Sequence, residues 1–233
     1  MTSFETIRAR ISSACSPSRQ VLLEPILAKL ELHQDCPAST SLKRHGGYVG
    51  GLCHHINFVS DLAQTIGINV FNETVKVVSK DNSSALDGLI GSSQALATIA
   101  LIHDLNKVCD LDGNLHYIPN ILIDGKRSEK KPWVINENYR PIQVSVDLAA
   151  SGSAFSVFLQ HPSIQYPSGL TSLTLAESWS PGLTADLTND EIQAIVWHGG
   201  LYERGSKEGF ANNESLLQII FHSADMIASR IGA

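Results

Sequence analysis

The sequence predicts a mainly α-helical protein, a helical bundle carrying one small β-hairpin insertion at about residues 112–146. Three observations lead there. Apolar residues recur at helical spacing on both sides of the insertion, and only the inserted stretch changes to short β-branched and aromatic runs divided by turn residues. The chain has 233 residues, 43% hydrophobic and 17% charged, which is enough to bury one core without disulfides. A single domain over 1–233 is therefore expected, with residues 1–40 as an N-terminal helical hairpin.

The elements follow in order. Residues 4–13 bring Phe4, Ile7 and Ile11 to one face, and residues 19–33 repeat the pattern through Leu22, Leu23, Ile26, Leu27 and Leu30, with Ser16-Pro17-Ser18 as break and cap. Residues 34–51 are rich in Ser, Pro and Gly and are expected to be irregular. Helical spacing returns over 52–66 through Leu52, Ile56, Val59, Leu62 and Ala63. Residues 92–110 are mostly apolar and turn polar at one end, where His103, Asp104 and Lys107 stand, so they read as a buried helix. In the insertion, LHYIP, PWVIN and PIQVSV are the strand-like runs, separated by Asp124-Gly125 and Asn136-Glu137-Asn138. Helical spacing resumes over 154–159, over 189–197 with Thr188 or Asn189 as cap, and over 214–230.

Several classes fall away. The most apolar stretch, 88–102, is interrupted by Ser92, Ser93 and Gln94 and is too short for the hydrocarbon of a bilayer. The first twenty residues carry Glu5, Arg8 and Arg10 and no continuous apolar run, so a secretory leader is not expected and a cytoplasmic setting is. Cys15, Cys36, Cys53 and Cys109 form no CxxC pair and read as reduced, buried thiols. With 17 Lys and Arg against 23 Asp and Glu, the chain lacks the broad basic face that grips long nucleic acid by its phosphates. A small-molecule partner is expected, with no long nucleic acid and no membrane, and a homo-oligomer is compatible with the sequence.

The residues that point to chemistry are His55, the adjacent pair His103-Asp104, and Asp225, each within a predicted helix. A divalent ion of the first transition row accepts imidazole nitrogen and carboxylate oxygen, and two His with two Asp leave positions for water and a phosphate oxygen. Helical geometry puts Lys107 on the same face as His103 and Asp104, where an ammonium can neutralise phosphate. Without a cation or a donor, Asp104 and Asp225 inside apolar helices would be costly unpaired charges. Other histidines have plainer readings: His33 and His116 as surface or loop residues, and His222 as a core histidine or an outer partner of Asp225.

The order H…HD…D, with the local texts GGLCHHINFVSDLA, ATIALIHDLNKV and LLQIIFHSADMIASR, resembles the HD-domain superfamily of metal-dependent phosphohydrolases over about two thirds of the chain, from Arg44 to Arg230. The segment DEIQAIVWHGG resembles a stretch of its bacterial and phage members. The resemblance implies an HD-domain helical bundle in which His55, His103, Asp104 and Asp225 ligate a divalent metal ion (Mn, Co, Mg, Ni, Fe or Zn). His54 is the rival for the first position, and the GGL-x-x-H spacing favours His55. Asp104, Lys107 and His198 are the catalytic residues it implies: Asp104 orients or deprotonates the attacking water, while Lys107 and His198 stabilise charge on phosphate or leaving group. Where some relatives with two metals carry a further histidine, this chain has Ser151-Gly152-Ser153.

For the substrate, Arg44 is a candidate for bidentate phosphate contact, and Tyr48, Trp197 and Tyr202 are candidates for stacking on a base. His45, in the RHGGY turn, is either structural or substrate-facing. The resemblance admits triphosphohydrolases, nucleoside monophosphatases, phosphodiesterases and 3′ to 5′ exonucleases. The expected substrate is a small nucleotide, foremost a (deoxy)nucleoside triphosphate as for compact phage enzymes that adjust the nucleotide pool; the cytoplasm would then be the host's. The alternatives are the other reaction types of the superfamily, or a nucleotide sensor without turnover. The basic run Lys126, Arg127, Lys130 and Lys131 is either a cover for a triphosphate or a solvated loop.

Overall fold

A computed structural model describes residues 2–42, 45–77, 92–140, 168–200 and 215–231. Among them are eight α-helices: α1 (Ser3–Ala14), α2 (Pro17–Leu32), α3 (Gly51–Val77), α4 (Ser93–Ile102), α5 (Ser168–Trp179), α6 (Leu183–Asp186), α7 (Asn189–Val196) and α8 (Leu216–Ile231). Two short strands, β1 (Tyr117–Pro119) and β2 (Trp133–Ile135), pair antiparallel with Ile118 opposite Val134. The mainly helical architecture with a small β insertion is as the sequence predicts.

Local chemistry sets the helix starts. Thr2 and Glu5 form a capping box on α1, and Thr188 and Glu191 form another on α7. The Ser16 hydroxyl accepts from Arg19 N with Pro17 in the first turn of α2, and the Ser92 hydroxyl accepts from Ala95 N on α4. The apolar faces then bury as their spacing requires: Phe4, Ile7 and Ile11 on α1, then Leu23, Ile26, Leu27 and Leu30 on α2.

Helix α3 is the axis of the bundle, packed by α8, α4 and α1, while α7 lies against α8, α5 and α4. Leu52, Ile56, Val59 and Ala63 of α3 meet a core that includes Leu217, Ile220, Phe221 and Ala224 of α8. Gly169 lets α5 touch α7, because a Cβ there would stand 1.8 Å from Ile195 O. Buried Arg19 ties the layers together: it donates to Glu191 Oε1 at 2.9 Å and Thr98 Oγ1 at 3.3 Å, and it pairs with Asp186.

Three features differ from the sequence expectation. The helix expected over 92–110 ends at Ile102, with His103 as its cap, and a 3-10 turn over Leu105–Lys107 follows. Helix α3 continues to Val77, well past the last apolar residue of the pattern. Helices α5 and α6 were not foreseen, because SGLTSLTLAESW has Ser, Thr and Gly among its apolar residues, yet nearly all of its first nine positions are buried. The expected strand over 141–146 and helix over 154–159 lie outside the described residues.

Candidate metal centre

Three helices deliver four donor groups to one place. His55 comes from the second turn of α3, His103 caps the end of α4, Asp104 leads into the 3-10 turn that follows, and Asp225 comes from the middle of α8. His55 Nε2 lies 3.3 Å from His103 Nε2, 3.3 Å from Asp104 Oδ2 and 3.1 Å from Asp225 Oδ1. His103 Nε2 lies 3.4 Å from Asp104 Oδ2 and 3.9 Å from Asp225 Oδ1. With bonds of about 2.1 Å, neighbouring ligands of one ion stand about 3.0 to 3.4 Å apart, so most of these edges match a shared cation. His55, His103 and Asp104 are buried and could hold a metal ion on their own geometry.

The proton positions fit as well. His103 Nδ1 is 2.9 Å from Ala100 O, and a carbonyl oxygen only accepts, so the proton sits on Nδ1 and the Nε2 lone pair faces the cluster. Burial holds His103 below the ordinary imidazole pKa. Burial also opposes a charge on His55, but hydrogen bonds that His55 donates to the Asp104 and Asp225 carboxylates outweigh it and raise that pKa. Both carboxyls are pushed below the usual range against the cost of burial, Asp104 mainly by the charge of Lys107 and Asp225 mainly by its hydrogen bond with His55. Two ionised carboxylates beside a lone-pair imidazole make an electrostatic well for a cation.

Lys107 approaches from the 3-10 turn, with Nζ 2.5 Å from Asp104 Oδ2. The sequence argument put it on the face of an α-helix; the tighter turn still brings the pair together, as residues three apart eclipse in a 3-10 helix. His198 Nδ1–H donates to Ile195 O at 2.8 Å, which leaves Nε2 3.7 Å from Asp104 Oδ1. His222 Nδ1–H donates to His198 O at 2.7 Å, an outer tie rather than a place in the cluster. His54, the rival for the first ligand position, is exposed, and its Nδ1 hydrogen-bonds the Tyr48 hydroxyl at 2.9 Å.

Two cavities flank the cluster. One of about 540 Å³ is lined by His55, His54, Tyr48 and Phe58, so Tyr48 stands at its wall as a stacking candidate would. A smaller one of about 210 Å³ is lined by His198, His222, Asp225 and Arg230. Trp197 is 3% exposed and belongs to the apolar core, which withdraws its ring from a substrate. Arg44 and Tyr202 lie outside the described residues. His45 is half-buried, with its ring centroid 4.7 Å from that of His55.

Sequence reasoning missed the base of the β insertion. His116, treated as a surface or loop residue, stacks on Tyr117 and Tyr139 at 4.2 and 4.1 Å and donates Nδ1–H to Asn106 O at 3.0 Å. Asn106 lies between Asp104 and Lys107, and Ser172 of α5 braces it by accepting from Asn106 N and donating to its Oδ1. Arg230, at the edge of the smaller cavity, was likewise not singled out as a functional residue. No periodicity marks such residues, since contact between distant elements selects them.

No protein-family model, curated protein or solved structure matches the chain. No helix among the described residues is long and apolar enough to cross a membrane.

Proposed function

We propose that the protein is a metal-dependent phosphohydrolase of the HD type acting on a small nucleotide, foremost a (deoxy)nucleoside triphosphate. The observation that carries this reading is the convergence of His55, His103, Asp104 and Asp225, with an ammonium on the shared carboxylate. These four side chains would hold the ion, and two imidazoles with two carboxylates suit Mn, Fe, Co, Ni or Zn better than Mg. A divalent ion there polarises a phosphoryl oxygen and lowers the pKa of a water toward neutrality.

The chain's own groups do the rest. Asp104 Oδ2, beside His55 and His103, would help hold the ion, and its Oδ1, toward His198, would orient the attacking water. Lys107 offsets the charge that develops on the phosphoryl oxygens. His198, whose Nε2 lies on the Oδ1 side of Asp104, would serve the departing oxygen. Arg230, at the edge of the smaller cavity, supplies a second cation for a phosphate chain.

Elemental analysis of the purified protein, followed by incubation with a panel of nucleotides and Mn, Co, Ni or Mg, tests the reading. Release of tripolyphosphate identifies a triphosphohydrolase, and release of orthophosphate from monophosphates a phosphatase. A protein that retains no divalent ion, or that binds nucleotides and releases nothing with any of these metals, overturns it; the second outcome leaves a nucleotide sensor.

A further inference from the structure

The tip of the β insertion joins two features that a solvated loop does not need together. Ile121, Leu122 and Ile123 are consecutive aliphatic residues with 57%, 48% and 110% of their surface exposed. Exposed apolar side chains scattered singly are ordinary, but three in a row make a patch that water disfavours. Lys126, Arg127, Lys130 and Lys131 follow across the Asp124-Gly125 turn, and all four are exposed. Four of the 17 basic residues thus stand in one stretch of a chain whose net charge is -6.

Backbone hydrogen bonds hold the two features together. Leu122 N–H donates to Lys126 O at 2.8 Å and Gly125 N–H to Leu122 O at 2.9 Å, which places Ile123 at the apex of a closed turn with Gly125 at φ 78°. Ser128 N–H donates to Asn120 O at 2.9 Å, and the Asn120 side-chain amide donates to Lys131 O at 2.8 Å, so the basic run lies beside the apolar one. Among the described residues, the ion pairs of Lys and Arg belong to Arg8, Arg10, Arg19 and Lys107. None of residues 120–131 lines either cavity beside the metal centre, so neither cavity accounts for the run.

Chemistry selects the partner. Single-stranded nucleic acid is gripped through aromatic faces on which bases stack, and the aromatic next to the run, Trp133, is buried with the Arg127 guanidinium 4.2 Å over its ring. A stable contact with a folded protein takes about 20–30 residues a side, more than this tip presents. Aliphatic residues beside Lys and Arg match the boundary of a bilayer, where the former enter the acyl region and the latter stay among anionic headgroups. The acidic remainder of the chain is repelled by the same headgroups, so the tip would lead the approach.

We propose that Ile121, Leu122 and Ile123, with Lys126, Arg127, Lys130 and Lys131, form a peripheral docking site for a bilayer containing anionic lipid. Contact with one leaflet departs from the sequence expectation of no membrane partner, which rested on the lack of an apolar span. It is independent of the phosphohydrolase reading.

Cosedimentation of the full chain with phosphatidylcholine vesicles, with and without phosphatidylserine, tests the site. Wild type is expected to pellet only with the phosphatidylserine vesicles and to be released by added salt. The variant Lys126→Ser/Lys130→Ser/Lys131→Ser is expected to lower the partition coefficient about a hundredfold, and Leu122→Ser/Ile123→Ser about tenfold at unchanged charge. These side chains are exposed, so wild-type circular dichroism is expected in both variants. Wild type left in the supernatant with both kinds of vesicle overturns the proposal. Wild-type binding by Leu122→Ser/Ile123→Ser also overturns it, because the apex would then not enter the bilayer. Lysine-dependent binding of a single-stranded oligonucleotide or of tripolyphosphate, without binding of vesicles, overturns it as well and assigns the run to a polyanion in solution.

Discussion

Lys107 Nζ lies 2.5 Å from Asp104 Oδ2, the oxygen that also faces His55 and His103. One carboxylate thus serves an ammonium and the proposed ion together. Burial works against both charges, yet the pairing raises the Lys107 pKa and lowers that of Asp104, so both stay ionised at neutral pH.

Replacing Lys107 by Met keeps most of the buried stem and removes the charge. The variant is expected to retain its metal and to lose about a hundredfold or more in kcat, as when one preorganised donor to a developing oxyanion is deleted. Steady-state kinetics beside metal analysis checks this; unchanged kinetics would show that Lys107 meets no phosphate.

Replacing Asp104 by Ala is expected to abolish metal retention and turnover while far-UV circular dichroism stays helical, because the core around α3 and α8 does not depend on that side chain. Full activity in this variant would end the metal assignment.

The buried Arg19 guanidinium is the partner of Glu191, which is itself 2% exposed. Arg19→Met strands that carboxylate in the core and is expected to cost about 3–5 kcal/mol, read as a lower denaturation midpoint. Adding Glu191→Met should restore much of the loss. If the double variant is as unstable as the single one, the charge left behind is not the cause.

Burial pushes the thiols of Cys36 and Cys53 up to about 12 and that of Cys109 up to about 11, from 9.0. Unfolded thiols ionise first as pH rises, so the stability held by the neutral folded thiols is full below about pH 9 and drains away toward pH 11–12. Each thiol adds up to about 1.4 kcal/mol per pH unit to that slope. Urea midpoints measured from pH 8 upward should fall more gently for Cys53→Ala than for wild type.

Much of this was legible in the residues. Phe4, Ile7 and Ile11, or Leu52, Ile56, Val59 and Ala63, announce buried helix faces because burial and helical period act on the same positions. The cluster was legible too, since acids and imidazoles inside apolar helices demand a partner. What stayed hidden depends on contact between distant segments. Ser172 reads as an ordinary polar residue until α5 brings it to Asn106, and of the two readings open for Trp197, stacking or core packing at a helix end, the fold takes the second. The break after Ile102 was also hidden, because the apolar run continues through Leu105 and Val108 while the backbone turns.

A single carbonyl has a wider consequence. Asn106 O receives both His116 Nδ1–H and the Tyr139 hydroxyl, at 3.0 and 3.3 Å, and Asp110 clamps the same root by accepting from Asn114 N and Arg140 N. The described part of the hairpin is thus moored to a backbone oxygen of the same short segment that carries Asp104 and Lys107, so insertion and cluster share one root.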